Sequence, residues 1–164
     1  MSHAHQHNDQ NSKFFVPQDC GYSEKAVRLA ENPINFGRLE NAHGASEQTG
    51  TCGESLAIYL TTDEQGIIDE IQFYTEGCLA TRACGCAATI LATHRDLDYA
   101  SKISESDMLH FLEEFPGDHH HCIMLAVSAL HQAVDAARAR LGNMQAAGGA
   151  QAQPLPAATP AARD

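Results

Sequence analysis

The sequence predicts an α+β domain in which antiparallel strands are followed and covered by helices, and three observations predict it. Two short runs, Ser55 to Thr61 and Ile67 to Tyr74, alternate apolar with polar or small residues on either side of a turn. From about His121 onward, apolar residues recur at steps of three and four, the signature of a long C-terminal amphipathic helix. Two serines, Ser23 and Ser104, stand where helix N-caps belong.

Taken in order, residues 1–20 are polar, His-rich and without period, and are expected to be a disordered tail. His3, His5 and His7 lie in it and are expected to be inert. Ser23 caps a short helix from Glu24 to about Glu31, with a carboxylate in its first turn and a stop at Asn32-Pro33. The stretch from Ala42 to Thr51 shows no apolar alternation, so a strand there is the least secure element. Leu56, Ile58 and Leu60 mark one strand and Ile71 and Phe73 the next, with Asp63-Glu64-Gln65-Gly66 as the turn of a hairpin.

Leu79 to about His94 contains no proline and carries the stripe Ala83, Ala87, Ile90 and Leu91. Ser104 with Asp107 forms a capping box for a helix through Met108, Leu109, Phe111 and Leu112, which Pro116-Gly117 ends. The last helix presents Ile123, Ala126, Val127, Leu130, Val134, Ala137 and Leu141 to a core. Residues 21–141 thus form one domain, a size at which one ordinary core suffices. Residues 142–164, rich in Ala, Gln and Pro, are expected to be a second disordered tail.

Acidic residues outnumber basic ones by 21 to 10, for a net charge of −11, and no Lys/Arg block is present to track a phosphate backbone. Nucleic acid is not an expected partner. No run is apolar enough to cross a bilayer and no leader pattern opens the chain, so a cytoplasmic protein is expected. In that reducing compartment the six cysteines are read as free thiols rather than a disulfide framework.

Three of these thiols carry the chemistry. Cys52 precedes the first hairpin strand, Cys78 follows the second, and Cys122 opens the last helix. Antiparallel pairing brings the outer ends of a hairpin together, so Cys52 and Cys78 share one sheet edge. Cys78 and Cys122 both stand at helix N-termini, where partial positive charge favours the thiolate. The gaps between them are too long for a local zinc knuckle, so the fold must form before the site. Cys122 is the first choice as sulfur-accepting nucleophile, with Cys78 behind it. Cys84 and Cys86 lie about 200° apart on a helix and cannot both join Cys78 in one site. They are read as one core residue and one partly exposed thiol. Cys20 carries no assigned role. Of His119, His120 and His121, only His121 is expected beside Cys122, through adjacency.

Several motifs in order make the family recognisable. Tyr22-Ser23-Glu24-Lys25, Glu31-Asn32-Pro33 with Asn35 and Gly37, Cys52-Gly53-Glu54, Gly66-Ile67-Ile68 leading to Gly77-Cys78, and His121-Cys122-Ile123 resemble the IscU/NifU N-terminal family of iron–sulfur cluster assembly scaffolds. The resemblance runs from about Gly21 to Arg138. It implies a three-stranded antiparallel sheet with helices packed against it and a non-catalytic role. A cysteine desulfurase delivers sulfur, iron binds, and a labile [2Fe-2S] cluster is assembled and passed to apo iron–sulfur proteins or carrier proteins, by a monomer or homodimer.

Carried over, the cluster ligands are Cys52, Cys78 and Cys122, with Glu54 and His121 as metal-site neighbours. Zinc is expected to be able to occupy the apo form. The family usually has Asp where Glu54 stands, and its Leu-Pro-Pro-Val-Lys segment reads Phe115-Pro116-Gly117-Asp118-His119 here, which weakens the case for an Hsp70-type chaperone. The alternatives are a structural zinc domain and the zinc-dependent sulfur-acceptor branch of the superfamily. Members of that branch carry an insertion before the last cysteine, and none is evident between Cys78 and Cys122.

Overall fold

The computed structural model of the chain describes residues 20–152, with side chains through residue 147. Helix α1 (Glu24–Glu31) is followed by β1 (Gly44–Thr49), β2 (Ser55–Thr62) and β3 (Ile68–Thr75), then α2 (Leu79–Ala92), α3 (Leu97–Ala100), α4 (Glu105–Leu112), a 3-10 turn (Gly117–His119) and α5 (His120–Ala152). The sheet is antiparallel in the order β1-β2-β3. In the predicted hairpin Ile58 pairs with Phe73 and Leu60 with Ile71. Those four side chains, with Leu56 and Ile68, are buried beneath α2 and α5. Asp63 Oδ1 accepts from the amides of Gln65 and Ile67 and ties the hairpin turn.

Caps set the helix starts. The Ser23 hydroxyl oxygen accepts from the Ala26 amide and opens α1, and Ser104 and Asp107 form the expected capping box on α4. Pro116 begins the turn that leads into α5.

Two packing features depart from the amphipathic pattern. First, β1 exists although its sequence does not alternate in hydrophobicity. Its inward positions are Gly44, Ser46 and Gln48, and they meet α5: Ser46 Oγ donates to the Ala129 carbonyl at 2.5 Å, and Gln48 Nε2 donates to Gln132 Oε1 at 2.5 Å. A Cβ on Gly44 would lie 2.1 Å from the Ala133 carbonyl oxygen, so only glycine permits this approach. Second, α2 is central rather than amphipathic. It packs against α1, α4, α5 and the sheet, and eleven of its residues are buried, mostly Ala, Gly, Cys and Thr. Cys84 and Cys86 are both fully buried there, which corrects the expectation that one would be partly exposed. Small side chains on every face let four elements close on one helix, and Gly85 brings its backbone against the Phe73 ring.

Of the predicted core stripe on α5, Ile123, Ala126, Val127, Leu130, Val134 and Ala137 are buried, and Leu141 is half-buried against the core. The helix continues past Leu141 to Ala152, into the segment expected to be irregular. Ala, Gln and Met favour helix there, and the exposed Met144 shows it running beyond the core. The tails expected at 1–19 and 153–164 lie outside the described residues. No helix among the described residues is long and apolar enough to cross a membrane.

Candidate metal and sulfur site

The site forms at one end of the sheet, where the β1–β2 turn, the β3–α2 junction and the start of α5 meet. Pairing of Thr49 with Ser55 and of Leu56 with Thr75 brings the first two together. The β1–β2 turn is closed by the Gly50 amide donating to the Glu54 carbonyl at 2.8 Å and the Gly53 amide to the Gly50 carbonyl at 3.0 Å. Cys52 sits exposed on it. Cys78 is the N-cap of α2 and partly exposed, and Cys122 is fully buried in the first turn of α5.

The tightest group is Cys78, Cys122 and His119, whose sulfurs and one ring nitrogen all lie within 4.8 Å of one another. The spacing explains His119. Residues three apart share a face in the 3-10 turn and first turn of α5, so His119 lies beside Cys122, while His121 is turned about 100° away. His119 packs against Tyr22 with ring centroids 5.8 Å apart, and Tyr22 in turn meets Phe115 edge-on. Its buried Nδ1 has no hydrogen-bond partner among the described residues. An unpartnered buried polar atom costs about 1–3 kcal/mol unless something satisfies it.

Cys52 and His121 form a second pair, with Sγ and Nε2 3.3 Å apart. The rings of His121 and His119 are 6.0 Å apart, which links the pair to the first group. Glu54 reaches the α2 N-terminus. Its Oε1 accepts from the Cys78 amide at 3.2 Å and its Oε2 from the Cys78 thiol at 3.5 Å. The fully buried Thr81 hydroxyl donates to the same Oε2 and stands 3.6 Å from both the Cys78 and Cys122 sulfurs. Glu54, from the β1–β2 turn, thus caps a helix whose own N-cap side chain makes no capping bond.

The electrostatics separate the two inner thiols. A hydrogen bond from the Cys122 thiol holds Cys78 down at about 6, against the opposing effects of burial and the Glu54 carboxylate. Cys122 is pushed far up, first by giving that hydrogen bond and then by burial. Burial works to raise Glu54, but hydrogen bonds from Thr81 and from the Cys78 thiol and amide outweigh it and hold the carboxyl below its usual range. Burial raises Cys84 well above an ordinary thiol and Cys86 to about 11, so both are inert protonated core residues.

All five residues singled out from sequence, Cys52, Glu54, Cys78, His121 and Cys122, therefore stand at this end of the sheet, in two subgroups. Of the two candidate sulfur acceptors, Cys122 is fully buried and its thiol is pushed up, while Cys78 is partly exposed at the start of α2 and its thiol is held down. His119 enters the thiol group in place of His121, while His120 is exposed. Thr81 escaped the sequence reading, although it lies three residues after Cys78 on one helix face, and Tyr22 was read only as part of a family motif and not as a neighbour of the site. Cys20 is partly exposed and is not a member of the Cys78, His119 and Cys122 group.

Residues 21–143 match the family model described as the NifU-like N terminal domain. The chain is 36% identical over 115 residues to the nitrogen fixation protein NifU of Azotobacter chroococcum mcd 1, covering 69% of this chain but only 37% of that relative's length. It is 32% identical over 117 residues to the iron-sulfur cluster assembly scaffold protein IscU of Escherichia coli K12, covering 69% of this chain and 91% of IscU. In three dimensions it resembles a putative iron-sulfur cluster assembly scaffold protein for the SUF system from Fervidobacterium islandicum, with TM-score 0.59, 18% identity and coverage of 72% and 99% of the two chains. A NifU-like N-terminal protein from Brucella abortus aligns with TM-score 0.60 at 14% identity, covering 74% and 96%. These matches, with the three-stranded sheet and the three cysteines at its end, place this chain in the family of NifU-like N-terminal domains.

Proposed function

We propose that this protein is a scaffold on which an iron–sulfur cluster is built from iron and from sulfur supplied by a cysteine desulfurase, and from which the cluster passes to apo iron–sulfur proteins or carriers. One observation carries the reading: Cys52, Cys78 and Cys122, from three distant stretches of sequence, meet at one end of the sheet with Glu54, His119 and His121 among them. Free thiols in this arrangement require a reducing compartment, which supports a cytoplasmic location.

Cys78 is the sulfur acceptor. Its thiolate attacks the terminal sulfur of a persulfide on the desulfurase, the donor S–S bond breaks, and the desulfurase cysteine leaves as a thiolate that takes up a proton. Cys78 then carries the persulfide. Converting that sulfane sulfur to sulfide requires electrons, supplied partly by ferrous iron going to ferric and partly by an external electron donor. Cys78, Cys122 and the exposed Cys52 hold the nascent [2Fe-2S] cluster. Glu54 makes the site labile, because a carboxylate oxygen is a poor ligand for cluster iron compared with thiolate.

The test is anaerobic reconstitution with ferrous iron, cysteine and a cysteine desulfurase, followed by absorption and Mössbauer spectra. The reading expects a [2Fe-2S] signature that Cys78→Ser abolishes. The tight Cys-Cys-His group also suits zinc, which favours the sulfur-acceptor alternative. Retained zinc, no cluster and a faster desulfurase would establish that alternative instead.

A further inference from the structure

The geometry points to a seat for a small zwitterionic thiol, an amino-acid-type molecule bearing ammonium, carboxylate and sulfhydryl groups, in a groove on the outer face of the sheet that reaches Cys78. There the thiol supplies the external electrons that turn sulfane sulfur into sulfide. That use rests on the scaffold reading; the seat itself does not.

The groove encloses about 520 Å³ and is lined by Arg38, Glu47, Ala57, Tyr74 and Glu76 as well as by Cys78. Its floor follows from the strand register. Glu47 pairs with Ala57 and Ala57 with Tyr74, so the three form one row across β1, β2 and β3. Leu56 and Ile58 point into the core, which turns Ala57 to the outer face. Ala57 is nevertheless only 5% exposed, a methyl group at the bottom of a pit between two longer side chains. Glu47 and Tyr74 stand about 10 Å apart, two strand spacings.

The walls carry opposite charges. The Arg38 guanidinium lies over the Tyr74 ring, 4.1 Å from its centroid, and the Tyr74 hydroxyl donates to Glu76 Oε1 at 3.1 Å. Neither Arg38 nor Glu47 makes an ion pair among the described residues. Glu54 also borders the groove, but its carboxylate is engaged by the Cys78 amide at the start of α2. One wall thus offers forked donors to a carboxylate and the other a carboxylate to an ammonium group. In a chain of net charge −11 a purely anionic thiol is repelled, and an uncharged one finds no charge to hold it. A zwitterion answers both walls.

The reaction balances with two thiols. The sulfur of the bound thiol, as thiolate, attacks the Cys78 sulfur of the persulfide; the S–S bond breaks and the terminal sulfur leaves as hydrosulfide. A second thiol attacks the ligand sulfur of the resulting mixed disulfide and releases Cys78 as a thiolate. Two thiols are oxidised to one disulfide, one sulfane sulfur is reduced to sulfide, and the two thiol protons pass to hydrosulfide and Cys78.

The mixed disulfide gives the test, because it also forms directly from the reduced chain and a small disulfide. The metal-free, fully reduced full chain is reacted with cystine, cystamine, dithiodipropionate or hydroxyethyl disulfide, then quenched and mapped by peptide mass. Cystine carries the zwitterion, cystamine only ammonium groups, dithiodipropionate only carboxylates, and hydroxyethyl disulfide neither. The rate at Cys78 is divided by that at the partly exposed Cys20 of the same chain, which cancels the intrinsic reactivity of each reagent. This ratio should be at least about tenfold higher with cystine than with hydroxyethyl disulfide, the preference that one charge-assisted contact confers. Arg38→Gln should lower the cystine ratio to that of cystamine, and Arg38→Lys should restore most of it. Glu47→Gln should lower it to that of dithiodipropionate, and Ala57→Leu, which fills the pit, should abolish the preference.

Equal ratios for all four disulfides would overturn the proposal. So would a ratio highest for cystamine or for dithiodipropionate, or a cystine preference that survives both Arg38→Gln and Glu47→Gln. These two substitutions fall on exposed side chains and carry the test even if Ala57→Leu folds poorly. Loading of Cys78 by a desulfurase is measured separately; its failure removes the scaffold reading and leaves the disulfide preference standing.

Discussion

Replacing Thr81 with valine removes one hydroxyl from the centre of the site while keeping side-chain volume and helix propensity nearly constant. That hydroxyl is fully buried, donates to Glu54 Oε2 and lies 3.6 Å from both inner sulfurs. A hydrogen bond to a charged group contributes about 1.5–3 kcal/mol. Glu54 is only partly buried and can recover some hydration, so the expected loss at neutral pH is near the lower end, about 1–2 kcal/mol.

The pH dependence follows from the sign of the shift. Glu54 is held below its ordinary value of 4.5, so its contribution is present above that value and is lost as pH falls through the lower folded value. Thr81→Val relieves part of that depression. The difference in unfolding free energy between wild type and Thr81→Val should therefore be full at pH 7 and shrink steadily below about 4.5. Urea unfolding of the reduced, metal-free proteins across that range reads it directly. A difference that stays constant down to pH 3, or no difference at pH 7, would refute the claim that Thr81 stabilises an ionised Glu54.

Other consequences can be checked independently. Cys78 should be alkylated by iodoacetamide with an apparent pKa of about 6, while Cys122 stays unmodified at neutral pH; peptide mass mapping that finds Cys122 reacting first would contradict the assignment of the thiolate. Gly44→Ala places a methyl group 2.1 Å from the Ala133 carbonyl oxygen and should cost about 1–3 kcal/mol, read as a lower urea midpoint; an unchanged midpoint would mean β1 does not lie so close to α5. Ser104→Ala removes the capping box of α4 and should cost about 1 kcal/mol by the same assay, with no change in metal binding.

How far the sequence could be read depended on what each element packs against. The β2–β3 hairpin and α5 each bury one face, so Leu56, Ile58 and Leu60 or Ile123, Val127 and Leu130 announce them by period. The caps at Ser23 and Ser104 fixed two helix starts to the residue. By contrast, β1 was nearly illegible because its inward residues answer to close approach rather than to apolar burial. Gly44 and Ser46 are small because the α5 backbone is immediately behind them. Helix α2 looked amphipathic and proved central, since small side chains buried on all faces leave no period to read. At the site, the three cysteines were legible from their positions at element ends, and Glu54 only through the family resemblance. His119 was not, because adjacency in sequence drew attention to His121, while helical geometry places the residue three before Cys122 next to it.

Transfer of the assembled cluster tests the central claim most directly. The reconstituted protein, freed of unbound iron and sulfide, is mixed anaerobically with a plant-type apo-ferredoxin in the presence of a chelator that captures released iron, and the ferredoxin spectrum is followed in time. The scaffold account predicts that a [2Fe-2S] cluster appears in the ferredoxin faster than from an equal amount of free iron and sulfide, and despite the chelator. Transfer no faster than from free iron and sulfide, or a cluster lost wholly to the chelator, would contradict it.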